Sequence, residues 1–149
     1  MGYPQQVLIG DFLQLGEEYR RAYYDLPQTR PPSWPKYFLF CHSIELILKA
    51  YLAAAAGLTS DELKDKFGHN LKLLLDVATE KHLPLSSTAK ANLEHLTDAH
   101  TKYWPRYPME RAHPVPVINH VQFEPEATEL FVAVHKALHP NVTYLPYCP

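Results

Sequence analysis

At 149 residues, with 46% hydrophobic and 20% charged side chains, the chain has the size and balance of one globular domain over residues 1–149, which excludes disordered and fibrous classes. A formal net charge of −2 supplies no basic field to draw the whole molecule toward nucleic acid or anionic membranes, so any phosphate site has to be local. The two cysteines, Cys41 and Cys148, lie far apart without a CxxC pairing and imply no disulfide.

The opening MGYPQQVLIGDF lacks the basic region and cleavage site of a secretory signal, so a cytoplasmic address is expected. Apolar residues then recur at Leu8, Phe12, Leu15, Tyr19 and Tyr23, close to the 3.6-residue period, with Glu17, Glu18, Arg20 and Arg21 supplying charge elsewhere. This spacing predicts a first amphipathic helix from Pro4 to Tyr24. The prolines of LPQTRPPSWP end it.

Ser33 caps the second predicted helix, Pro35 suits its first turn, and Gly57 stops it after Ala56. Its apolar residues, from Tyr37 to Leu52, point in almost every direction, the pattern of a central helix enclosed by neighbours or by a second copy of the chain. A homodimer through this helix is therefore expected. Glu45 and Lys49 interrupt its apolar run, which falls short of the roughly 18 residues that span a bilayer, so no membrane association is expected.

SDELKDKF reads as a short helical turn capped by Ser60 and leads to the turn GHNL. A third helix, Asn70 to Lys81, carries Leu71, Leu74, Leu75 and Ala78 on one face. A fourth starts at a Ser86 or Ser87 cap and carries Ala89, Leu93, Leu96, His100 and Tyr103 before WPRYP stops it. Arg106 to Pro125 is rich in proline and has no helical period, which predicts a long ordered loop. A last helix, Pro125 to Leu138, presents Ala127, Leu130, Phe131, Val134 and Leu138 and precedes an extended tail. No segment alternates as a strand does. The expected fold is all-α, an antiparallel up-and-down bundle of four to five helices.

Within CHSIELILKA, His42, Glu45 and Lys49 fall at i, i+3 and i+7 and stack along one stripe of an otherwise apolar helix. Either the stripe is solvated, with Glu45 and Lys49 as an ordinary surface pair, or it is a buried or partner-facing site in which Glu45 requires a cation. His135 and His139 are helix-spaced but lack a third ligand, and neither HExxH nor CxxC occurs, so no metal and no cofactor is expected. GxGxxG, P-loop and GxSxG signatures are also missing. Arg106 and His113, with six residues between them, pair a guanidinium with an imidazole, a combination suited to metal-independent RNA cleavage. Alternatively, Arg106 is structural and reaches back to Glu45.

The succession HSIELILKAYLAAAAG, KFGHNLKLLLDVA, HTKYWPRYP, from Trp34 to Pro108, resembles the HEPN superfamily, in particular its small bacterial members. The resemblance rests on the Glu45 and Lys49 helix, the Gly68-His69-Asn70-Leu71 turn and the Arg106-Tyr107-Pro108 end. It implies a helical bundle that dimerises through its central helices and a role linked to nucleotides or RNA. Carried over, Arg106 and His113 are the catalytic pair of a ribonuclease and Glu45 is its helper. This chain departs from the active pattern, because Tyr107 and Pro108 follow the arginine and Pro114 follows the histidine, so the segment cannot be one helix. The preferred expectation is a non-catalytic module that binds a nucleotide, RNA or protein through His42, Glu45, Lys49, His69 and Arg106. The alternatives are a toxin-type ribonuclease and an accessory subunit of a toxin–antitoxin or defence complex.

Overall fold

The computed structural model describes residues 3–30, 33–103, 119–147 and 149, and the elements in these segments are helices without strands. In chain order they are α1 (Gln5–Asp25), α2 (Trp34–Ala55), α3 (Ser60–Phe67), α4 (Leu71–Glu80), α5 (Ser87–Tyr103), a 3-10 turn η1 (His120–Phe123) and α6 (Glu124–Leu138). The all-α expectation holds. The segment SDELKDKF, read as a turn, is the full helix α3.

Local capping chemistry sets most of the starts. Ser33 Oγ accepts from Lys36 N at 3.3 Å, and Asn70 Oδ1 from Leu73 N at 3.0 Å. At α5, Ser86 rather than Ser87 is the cap, with Oγ accepting from Ala89 N at 3.1 Å. The cap of α3 is Thr59, not Ser60: Thr59 Oγ1 accepts from Glu62 N, and the Glu62 carboxylate accepts from Thr59 N, a reciprocal capping box. In the stretch expected to be a loop up to Pro125, the 3-10 turn η1 instead leads directly into α6.

α2 is the spine. α1 runs antiparallel along it, as seen from Gln5 Nε2 donating to Ala53 O at one end and Tyr23 packing on Phe40 at the other. α4 and α6 flank α2, and α5 bridges those two. Nearly every residue from Tyr37 to Ala53 is buried, so the apolar surface that suggested a partner chain is covered within one chain. By length and composition this 22-residue helix is sufficient to cross a membrane, contrary to the interrupted run read from its charges; 72% of its most apolar stretch is buried inside the bundle, as in a core helix.

The buried face of α1 also differs from its simplest reading. Leu8, Leu13, Gly16, Arg20 and Tyr23 face inward, while Leu15 is exposed. Arg20 tolerates burial because Tyr24 and Phe131 sandwich its guanidinium at 5.1 and 5.0 Å and its Nη2 donates to Thr128 Oγ1 at 2.8 Å. Lys36 is buried in the same manner, its Nζ lying over the Tyr23 ring at 4.6 Å and donating to Leu26 O at 2.7 Å. That second bond ties the end of α1 to the start of α2. The tail follows the outside of α1 and α6, with Tyr144 stacked flat on His135 and bonded through its hydroxyl to Glu17.

Gly16 sits against α2: a Cβ there would lie 3.6 Å from Ile47 N and 3.7 Å from Leu46 Cβ. A methyl group fits and anything longer does not. In urea unfolding, Gly16→Ala is expected to be neutral or to stabilise by up to ~1 kcal/mol through helix propensity, whereas Gly16→Leu is expected to destabilise by ~1–3 kcal/mol by levering the helices apart.

Candidate functional site

Helical spacing brings His42, Glu45 and Lys49 onto one stripe of α2, and packing buries that stripe. Glu45 is 6% exposed and Lys49 9%, which rules out the solvated-strip reading. Lys49 Nζ donates to Glu45 Oε1 at 2.7 Å. His42 Nδ1 stands 3.5 Å from Glu45 Oε2. His69, delivered by the turn between α3 and α4, places its Nδ1 3.1 and 3.2 Å from the two carboxylate oxygens. A carboxylate only accepts, so each imidazole faces it with an N–H.

The turn that delivers His69 depends on Gly68. Its φ of 52° lies in the left-handed region, where a side chain is strained. This geometry aims the Gly68 carbonyl at Lys49 Nζ, which donates to it at 2.8 Å. Lys49 thus bonds at once to its own helix partner and to the end of α3, where the turn into α4 begins. Burial by itself would raise the Glu45 carboxyl, but hydrogen bonds from His42 and Lys49, and the Lys49 charge, outweigh it and hold the group down at about 2. The more exposed His69 adds a third donor at the rim.

An aromatic surface adjoins the cluster. Phe38, one turn before His42, stacks on its ring with centroids 5.3 Å apart and planes 13° apart, and Tyr19 of α1 meets the same imidazole edge-on at 4.5 Å. Phe38 is 44% exposed. The sequence offered both only as apolar helix positions; the i to i+4 spacing of Phe38 and His42 was available as a signal, while Tyr19 reaches His42 only through helix packing. On the neighbouring side of α2, Tyr37 Oη and His100 Nδ1 are 2.8 Å apart, and burial presses His100 down to about 4 against an opposing pull from Glu45. Cys41, buried beside Tyr37, is pushed up to about 12 by burial and is an unreactive thiol at neutral pH.

The site residues expected from the sequence therefore divide. His42, Glu45, Lys49 and His69 come together. Arg106 and His113 lie outside the described residues, as do Tyr107, Pro108 and Pro114; among the described residues Glu45 takes its partners from Lys49, His42 and His69. No group of three His, Cys, Asp or Glu side chains converges at metal-ligand geometry among the described residues. Compared with known proteins, the chain matches no family model, no curated sequence and no solved structure at a significant level.

Chemically, the Glu45 carboxylate is ionised across the physiological range and engaged on both oxygens. It has no proton to give and little free basicity, and Lys49 has its charge neutralised before any ligand arrives. Glu45→Gln is expected to cost ~3–5 kcal/mol in chemical denaturation because it leaves the buried Lys49 ammonium uncompensated. The pair Glu45→Leu/Lys49→Met should recover most of that loss. Since the folded carboxyl lies below its ordinary 4.5, its stabilisation is complete above about pH 4.5 and is lost as pH falls toward about 2; the acid limb of wild type, absent in the double variant, checks this.

Proposed function

We propose that this chain is a non-catalytic, HEPN-like binding module of the cytosol that engages a nucleotide or single-stranded RNA and works as a homodimer. The observation that carries this reading is the engagement of both Glu45 oxygens: among the described residues Lys49, His42 and His69 face the carboxylate and hold it ionised, which suits a scaffold better than acid–base chemistry. The ionic cluster holds the surface in shape. The ligand is met by what surrounds it.

Phe38 offers a partly exposed ring, backed by His42, for a base to stack on, a mode of binding that is tolerant of sequence because every base has a π-face. His69, whose side chain is 77% exposed, places an imidazole at the rim within reach of a phosphate or a sugar hydroxyl. A local platform of this kind accords with a chain that has no overall basic field. Leu15 lies one turn from Tyr19 on α1 and is 41% exposed, which supplies apolar area on α1 for a second copy while the Phe38 ring stays open to a base.

Fluorescence anisotropy with a short labelled oligouridylate, at fixed low salt and in excess EDTA, tests the proposal. Binding without cleavage is expected, weakened about 5- to 150-fold by Phe38→Ala, the loss of one base stack at ~1–3 kcal/mol. His69→Ala is expected to weaken it further, and light scattering should report a dimer. No binding to oligonucleotide or mononucleotide at high protein concentration sinks the nucleotide reading. Cleavage that disappears in both Arg106→Ala and His113→Ala replaces it with a metal-independent ribonuclease.

A further inference from the structure

His120 is the first residue of η1 and is completely buried. Its ring is boxed by Tyr23 of α1 at 5.4 Å and by Tyr37 and Phe40 of α2 at 5.8 and 5.6 Å between centroids. Neither ring nitrogen has a hydrogen-bond partner among the described residues. Buried imidazoles ordinarily find one.

The titratable groups packed around this box have nothing to offer a second cation. On α1, the Tyr23 hydroxyl donates to Glu124 of α6 at 2.6 Å, so that carboxylate is engaged elsewhere. On α2, the Lys36 ammonium sits over the Tyr23 ring and its charge opposes protonation, while Cys41 is a neutral thiol. On α5, His100 is joined to the Tyr37 hydroxyl. No carboxylate lies within ion-pair distance of His120 among the described residues. Aromatic faces attract a cation, but weakly compared with the cost of stripping its water.

The element that carries His120 is also poorly fixed by its own backbone. Within η1 the Gln122 N to Asn119 O bond is long, at 3.4 Å, and α6 starts without a side-chain cap. The burial of His120 and Phe123 and the Tyr23–Glu124 bond hold the turn against the spine, while the first residues of α6 are also fixed by buried Ala127 and by bonds from Asn92 to Glu126 and from Arg20 to Thr128. With His120 undocked, η1 keeps only Phe123 and the Tyr23–Glu124 bond.

We propose that His120 is an acid-released latch, in which protonation of its imidazole ejects η1 and the start of α6 from α1 and α2. Burial, reinforced by Lys36, holds the folded imidazole down at about 4, below its ordinary 6.5. The unfolded or ejected ring therefore binds protons that the docked ring refuses. The docked state is fully favoured above about pH 6.5 and loses ground progressively as pH falls to about 4.

Hydrogen exchange of the intact chain at neutral pH and at pH ~4.5, expressed as protection relative to intrinsic rates, provides the test. Protection of residues 120–128 is expected to fall about tenfold or more in wild type, as a shift of at least one unit requires, while α4 keeps its protection. His120→Phe, which fills the aromatic box without a titratable group, should abolish the local loss. Unchanged protection in wild type, or an equal loss in His120→Phe, overturns the latch. Should that variant fail to fold, an NMR titration of the wild-type His120 ring decides: proton uptake coincident with loss of protection in η1 supports the latch, and uptake near 6.5 with η1 still protected overturns it.

Discussion

The compensation of one buried carboxylate organises the spine of this bundle. Glu45 lies in the middle of α2, where a charge costs on the order of several kcal/mol to desolvate unless it is met by donors. Lys49 and His42 come from the same helix at fixed spacing, so they are present as soon as α2 forms. His69 has to come from elsewhere, and it arrives only if α3 ends at Gly68 with a left-handed residue. Lys49, by also bonding to the Gly68 carbonyl, makes that turn part of the same network. The orientation of α4 is thereby tied to the register of α2, a task for which apolar packing is less specific.

The other two buried cations follow a different rule. Arg20 and Lys36 are not neutralised by a carboxylate in direct contact among the described residues. They are accommodated by aromatic faces and by oxygen acceptors: Thr128 for Arg20 and the Leu26 carbonyl for Lys36. The difference has a functional consequence. The Glu45 cluster is electrically closed and presents imidazole and aromatic edges outward, whereas the end of the bundle around Tyr23 already carries a buried positive charge and resists a second one at His120.

These two regions assign different roles to the histidines. His42 and His69 face an anion, the first largely covered by Phe38 and Tyr19 and the second exposed at the rim. His100 and His120 are enclosed, held neutral by burial, and contribute to packing as long as they stay so. Counting histidines could not separate these roles, because the distinction lies in what each ring faces.

Helix by helix, the sequence by itself determined the secondary structure closely. Serine and asparagine caps, proline stops and the leucine spacing of α4 act within a few residues, so their meaning is local. The stripe of His42, Glu45 and Lys49 was legible for the same reason, since helical periodicity alone stacks those side chains. The resemblance to HEPN proteins rests on that stripe, on the GHNL turn and on the Arg106-Tyr107-Pro108 end, the last of which lies outside the described residues. What only the tertiary structure decided is which side of that stripe meets water. Burial is a property of neighbours, and a pair at i and i+4 reads identically on a solvated face and inside a core. The same limit explains why Leu13 and Arg20, not Leu15, lie on the inner face of α1, why Tyr19 joins His42, and why η1 turns His120 into an aromatic box. Each depends on contacts between residues distant in the chain, which no local pattern encodes.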